Sequence, residues 1–160
     1  MRKSVKALTC PKCGKSDLRT SGRPGRAITA AMDHQALIDA AMTLRAKVQR
    51  TKSVQTGGVA AALEAEDGTL YTGVCIDAEC GVGFCAEHSA IAELAKTGSM
   101  RIKRIVAVKW DGRLLAPCGR CRELLYQVDY RNIDTRVILA PDKDVALGEL
   151  LPMRWQEPAG

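Results

Sequence analysis

The sequence predicts an α/β layered domain, a mixed sheet flanked by helices. Three observations carry that prediction. The chain of 160 residues is one domain's length, enough to bury a core without disulfide staples. Helical and strand-like segments alternate in the order α-β-β-α-β-α-β, a pattern that layers helices on a sheet. Within it, two strand-like runs meet at Glu66-Asp67-Gly68, and Asp-Gly at such a junction is a strong hairpin signal.

Taken in order, the first helix is predicted over Asp33–Arg50, where Leu37, Ile38, Ala41, Leu44 and Val48 recur at spacings of one, three, three and four, with Asp33 as N-cap. A Thr/Ser/Gly-rich loop, Thr51–Gly58, should follow. Val59–Ala65 and Thr69–Ile76 are the hairpin strands. Ala86–Lys96 carries Ala90, Ile91, Leu94 and Ala95 on one face and stops before Gly98, a helix with a glycine C-cap. Arg104–Trp110 reads as a short buried strand ending at Asp111-Gly112. Gly119–Tyr130 is helical by Leu124, Leu125 and Val128, and Arg136–Ala140 is a further strand.

Residues 1–31 are different in kind. This Gly/Arg/Ser/Thr-rich stretch lacks apolar periodicity and cannot bury enough to order itself, so it is expected to be a flexible leader, with residues 32–160 as the folded domain and Met32 as a candidate start. Eight Lys/Arg stand there against one acid, Asp17, whereas the rest holds 16 basic and 17 acidic residues. The whole positive excess, +6 overall, therefore sits in the leader. A nucleic-acid-binding face spread over the domain should not leave it slightly acidic, and six aromatics offer few stacking platforms. A nucleic-acid module built on the leader and its Cys10/Cys13 knuckle is the competing class. One Cys-x-x-Cys supplies only two of the four ligands that a structural zinc needs. No apolar run approaches the ~18 residues of a membrane helix, and no signal-like segment opens the chain. A cytoplasmic protein without a membrane partner is the expectation.

Seven cysteines is the unusual count. In a reducing compartment, cysteines at short spacings read as metal ligands or catalytic thiols. Cys85-Ala86-Glu87 and Pro117-Cys118-Gly119-Arg120-Cys121 each open a predicted helix. There the unpaired N–H groups and the positive end of the dipole favour thiolate, the form that binds zinc. Three sulfurs leave the fourth tetrahedral position to water, the signature of a catalytic site rather than a structural one. Glu87, two residues from a sulfur, is placed to take a proton from that water.

These two segments resemble the zinc-dependent cytidine deaminase family, including its blasticidin S deaminase type. The resemblance runs from Asp33 to Trp155, with Cys in the first ligand position as in the free-nucleoside branch. It implies a three-layer α-β-α fold and one Zn²⁺ per subunit held by Cys85, Cys118 and Cys121. It also implies Glu87 as proton shuttle in the conversion of a cytosine nucleoside or analogue to the uracil compound and ammonia. A homotetramer with active sites at subunit boundaries is implied as well.

The family commonly places Arg after the catalytic Glu to offset the charge of three thiolates; this chain has His88, and His88, Arg120 and Arg122 are candidates for that support. The cytidine-specific Asn-x-Glu that grips the ribose is here Cys75-Ile76-Asp77. Cys75, Asp77 and Ala86 are therefore the candidate substrate contacts. The aromatic that usually precedes the first strand is replaced by small residues at Gly57-Gly58, while Val59-Ala60-Ala61-Ala62-Leu63 resembles the blasticidin-type strand. Trp155 matches the family's pocket-closing aromatic, often supplied by a neighbouring subunit. Cys80 has no assigned role beyond structure.

Overall fold

The computed structural model describes residues 32–155; the expected leader, with Cys10 and Cys13, lies outside the described residues. The elements are α1 (His34–Met42), β1 (Val48–Thr51), β2 (Val54–Ala65), β3 (Leu70–Ala78), α2 (Ala86–Leu94), β4 (Ile102–Lys109), β5 (Leu114–Leu115), α3 (Gly119–Val128), β6 (Arg136–Ala140), β7 (Lys143–Ala146) and the single turn α4 (Leu147–Leu150). They form one seven-stranded mixed sheet. β2 pairs antiparallel with β1, β3 and β4. β4 continues antiparallel to β5 and parallel to β6, and β6 turns back antiparallel into β7.

Alternation along β2 and β4 builds the three layers. Successive strand residues point to opposite faces, so Ala60, Ala62, Val106 and Val108 meet Leu37, Ile38 and Ala41 of α1. Their neighbours Ala61, Leu63 and Ile105 meet Ala86, Ala90, Ile91 and Leu94 of α2 and Leu125 of α3. A strand buried on both faces is apolar at nearly every position, which explains the run Val59–Leu63. The α-β-α architecture expected from the sequence is thus present, and the hairpin turns at Asp67-Gly68 as expected, with Leu63 opposite Tyr71.

One element departs from expectation. The helix predicted over 33–50 ends at Met42. Asp33 caps it, its carboxylate accepting from the Ala36 N–H at 2.8 Å. At the other end the Thr43 hydroxyl donates to the Ala40 carbonyl at 2.7 Å, an internal bond that competes with helix continuation. The Ala46 N–H then donates to the Gly57 carbonyl, and Val48–Thr51 pairs with the start of β2. Val48, read as the last apolar position of a helix, belongs to a strand, and Leu44 is left exposed. Pairing with an already extended partner outweighs a weak helical pattern. The expected loop Thr51–Gly58 is accordingly the β1–β2 hairpin. The short β5, β7 and α4 were beyond the reach of periodicity.

α2 lies unusually close to β3. A Cβ placed on Gly73 would stand 2.4 Å from the Ala90 nitrogen and 2.7 Å from the Ala86 carbonyl oxygen, so only glycine leaves room for the helix backbone. Gly73→Ala should therefore lift the N-terminal half of α2 off the sheet. The expected loss is about 1–3 kcal/mol, measured as a fall in Tm.

Candidate active site and metal centre

The strand ends and loops that carry the cysteines converge at one end of the sheet. After β3 the chain turns through Glu79–Gly81 and returns to pair Phe84 with Ile76, two backbone bonds of 2.9 and 3.0 Å. That closure sets Cys85 in extended conformation as the N-cap of α2. From the other side, β5 pairs with β4 and delivers Pro117-Cys118, with Cys118 the extended N-cap of α3. Two helix N-termini therefore face a common point.

The sulfurs meet there. Cys85 Sγ lies 3.6 Å from Cys118 Sγ, and Cys118 Sγ 3.5 Å from Cys121 Sγ. Tetrahedral zinc with Zn–S bonds of about 2.3 Å holds its sulfurs about 3.8 Å apart. A slight widening of each contact is all that separates these two pairs from that geometry, so the donor set fits the ion. His88 adds a nitrogen, Nδ1 at 3.5 Å from Cys121 Sγ, and Cys85, His88 and Cys121 present ligand atoms within 4.8 Å of one another.

The electrostatics point the same way. Burial pushes the thiols of Cys85 and Cys121 up, Cys121 far up; Cys118 and Glu87 add to both rises, while a hydrogen bond with Cys121 partly offsets that of Cys85. Cys118 is also partly buried, but hydrogen bonds from the Cys121 backbone N–H and from the thiols of Cys121 and Cys85 outweigh that and bring it down. The raised thiols of Cys85 and Cys121 are the ones from which a bound divalent cation would displace protons. Glu87, in the first turn of α2, is only 5% exposed, and desolvation raises its carboxyl. A buried carboxyl with an elevated pKa is suited to moving protons near neutrality.

A cavity of about 770 Å³ opens over this cluster. Cys85, Ala86, Glu87, Cys118 and Arg120 line its inner part, and Cys75 and Asp77 its β3 wall. Cys75 is buried: the Val59 N–H donates to its sulfur at 3.2 Å, and its thiol points to Asp77 Oδ2 at 3.5 Å. Burial raises that thiol, so it stays protonated and acts as a donor to Asp77, whose carboxylate remains exposed to the cavity.

Three expected residues are placed differently. Arg122 donates from Nε to the Pro117 carbonyl at 2.7 Å and from Nη1 to the Leu150 carbonyl at 3.1 Å. Its guanidinium fixes the backbone before Cys118 rather than facing the sulfurs. Trp155 is 84% exposed and does not line the cavity of its own chain, which also excludes core packing. Cys80 is exposed at a positive φ of 56° in the turn after β3, so it packs no core either.

Lys47, Gln55, Lys109 and Trp110 line the cavity too, and sequence reasoning did not find them. Trp110 was taken as a strand end, and Lys47 as the exposed face of a helix that stops earlier. The signal that could have pointed to Trp110 is its position: a large aromatic where β4 leaves the sheet beside an Asp-Gly turn.

The comparisons with known proteins agree with this geometry. The family model for the cytidine and deoxycytidylate deaminase zinc-binding region matches residues 31–137. A cytidine deaminase of Mycobacterium tuberculosis is 34% identical over 95 residues, 59% of this chain and 69% of that protein. One from Halalkalibacterium halodurans is 32% identical over 127 residues, 76% of this chain and 92% of that protein. The crystal structure of the M. tuberculosis enzyme superposes with a TM-score of 0.66 at 28% identity, covering 79% of this chain and all of that one.

Exposure and packing set an order of thiol reactivity. With zinc bound, iodoacetamide is expected to label the exposed Cys80 and to spare Cys85, Cys118 and Cys121. After chelation, Cys118, the most exposed of the three and the one with the lowered pKa, should label first and Cys121 last, as read by peptide mass mapping.

Proposed function

This chain belongs to the family of cytidine and deoxycytidylate deaminases, and from that premise we propose that it hydrolyses a free cytosine nucleoside, or a cytosine nucleoside analogue, to the uracil compound and ammonia. The observation that carries the proposal is the buried Glu87 set beside clustered thiols at two convergent helix N-termini, at the base of an open cavity. Cys85, Cys118 and Cys121 would hold one zinc ion per subunit. Bound there, the ion would lower the pKa of a coordinated water toward neutrality.

The chain's own groups do the rest. Glu87 takes the proton from water and delivers it to ring N3, which makes C4 electrophilic toward hydroxide. Once hydroxide has added at C4, Glu87 moves the proton of the new C4 hydroxyl to the exocyclic amine, and the C4–N bond breaks to leave the C4 carbonyl and ammonia. The free N–H groups at the starts of α2 and α3 stabilise the negative charge of the sulfurs. Asp77 accepts from a substrate hydroxyl, with the Cys75 thiol holding its carboxylate in place.

A specialised aminopyrimidine substrate, as in the blasticidin S deaminase type, is the second reading. It is favoured by one observation: at the position of the ribose-gripping Asn stands Cys75, its sulfur already engaged by the Val59 N–H and turned to Asp77. We also read the protein as a cytoplasmic homotetramer acting in pyrimidine salvage, in which Trp155 closes a neighbouring subunit's cavity. The support is that Trp155 and Met153 stand 84% and 85% exposed. Among the described residues no helix is long and apolar enough to cross a membrane.

Glu87→Gln should lower kcat by about 10²–10⁴-fold with zinc content unchanged, measured as ammonia release from aminopyrimidine nucleosides alongside metal analysis. In the same assays Cys118→Ala should lose zinc and activity, whereas His88→Ala should keep zinc. Retention by the first and loss by the second would replace the three-sulfur set with Cys85, His88 and Cys121.

A further inference from the structure

The cavity has a second chemical character at its mouth, away from Glu87. Gly57-Gly58, where the family's aromatic is missing, is what builds it. A Cβ on Gly57 would stand 2.0 Å from the Ala46 carbonyl oxygen, and Gly57 adopts a φ of 78° that side chains rarely allow. The bare backbone lets the segment after α1 dock through the Ala46 N–H to the Gly57 carbonyl, and Lys47 follows directly. On the other side the Trp110 N–H donates to the Gly58 carbonyl at 2.9 Å. Lys47 Nζ then lies 4.9 Å from the centre of the Trp110 ring, a cation–π contact that fixes both. The space a Gly58 side chain would fill is bordered by Asp77 Oδ2 at 3.3 Å, Cys75 Sγ at 3.7 Å and Lys47 Cε at 4.0 Å.

The charges around Trp110 are unbalanced. Arg45 donates from Nη1 to the Trp110 carbonyl. Lys109 and Arg113 share one carboxylate, Asp111, at 3.7 and 2.9 Å. Among the described residues no carboxylate pairs with the Lys47 ammonium. Four cations thus surround the tryptophan against Asp111, with Asp77 across Gly58 as the other acid. A hydroxyl donor suits Asp77, and an anion suits Lys47.

Resting on the deaminase reading above, we propose that Lys47, held over Trp110, is a specificity residue that selects a cytosine nucleoside whose sugar carries an anionic group, a phosphate or a carboxylate, in preference to the neutral nucleoside. Trp110 takes the place of the absent aromatic as the wall against which the sugar lies. The departure from a neutral substrate is local to this mouth and leaves the chemistry at Glu87 unchanged.

The test uses zinc-loaded enzyme and ammonia release from cytidine, deoxycytidine, their 5′-monophosphates, and cytidine oxidised at its 5′ carbon to the carboxylate. At least one anionic compound should exceed its neutral parent in kcat/KM by about tenfold or more, and which one does so separates phosphate from carboxylate. Lys47→Gln should cut the anionic-to-neutral ratio at least fivefold, Lys47→Arg should keep it, and raising salt from about 50 to 500 mM should shrink it. Thermal melts of both variants report folding. Turnover of cytidine with no anionic preference, or a ratio indifferent to Lys47→Gln, overturns this inference and leaves the deaminase reading standing. Ammonia from none of the compounds overturns both.

Discussion

Holding three cysteine sulfurs and a carboxyl within a few ångströms is what the rest of this molecule must sustain. Burial makes Cys85, Cys121 and Glu87 resist ionising, and only Cys118 among the four is brought down by its hydrogen bonds. Left to themselves they would stay protonated, or the loops that carry them would part. The fold opposes this with two helix N-termini aimed at one point, where unpaired N–H groups supply positive potential. The ion the site is built for supplies the remainder. Zinc binding and local folding would therefore be coupled: Cys85, Cys118 and Cys121 would give up thiol protons to the ion, and their turns would be locked in exchange.

Rigidity behind the site comes from small residues rather than large ones. Ala60, Ala61 and Ala62 of β2 and Ala86 and Ala90 of α2 are fully buried, and Gly73 leaves α2 nearly on the backbone of β3. Close helix–sheet contact trades side-chain volume for precision in where the helix starts, and here the helix start carries the chemistry. At the far end of α3 a buried side chain does similar work. Asn132 accepts from the Ile102 N–H and donates to the Met100 and Leu125 carbonyls, joining α3 to the beginning of β4. Arg122 belongs to the same scaffold, because its bonds to the Pro117 and Leu150 carbonyls fix the approach to Cys118.

What could be read from the sequence was whatever is local in the chain. The hairpin at Asp67-Gly68, α2 with the turn after it closed by the left-handed Gly98, and α3 all follow from period and punctuation. Cys85, Glu87, Cys118 and Cys121 were legible because each lies within three residues of a helix start, so spacing alone fixes their direction. The end of α1 was not legible, since it is decided by Gly57 and Val54–Thr56, residues that meet the 46–51 segment only after the sheet assembles. The mouth of the cavity fails for the same reason: Lys47 and Trp110 lie 63 positions apart in sequence and are joined through Gly57-Gly58 on a third segment. Trp155 stands 84% exposed on its own chain, and its place at a cavity depends on a neighbouring subunit, which no spacing within one chain can show.

We propose that His88 and Arg120 together balance the charge that the family's arginine balances elsewhere. Zinc with three thiolates carries a formal charge of −1, which weakens its hold on a water proton. A protonated imidazole would offset this, but burial lowers the His88 pKa and the positive charge of Arg120 lowers it further. The Nδ1 of His88 lies 3.5 Å from Cys121 Sγ, within reach of a single hydrogen bond to that sulfur. The compensating charge then falls to Arg120, which lines the cavity, and to the two helix termini. A neutral donor on one sulfur still reduces that sulfur's electron donation to the metal, so His88 and Arg120 divide between them what one guanidinium does elsewhere: one bonds a ligand sulfur and the other supplies positive potential.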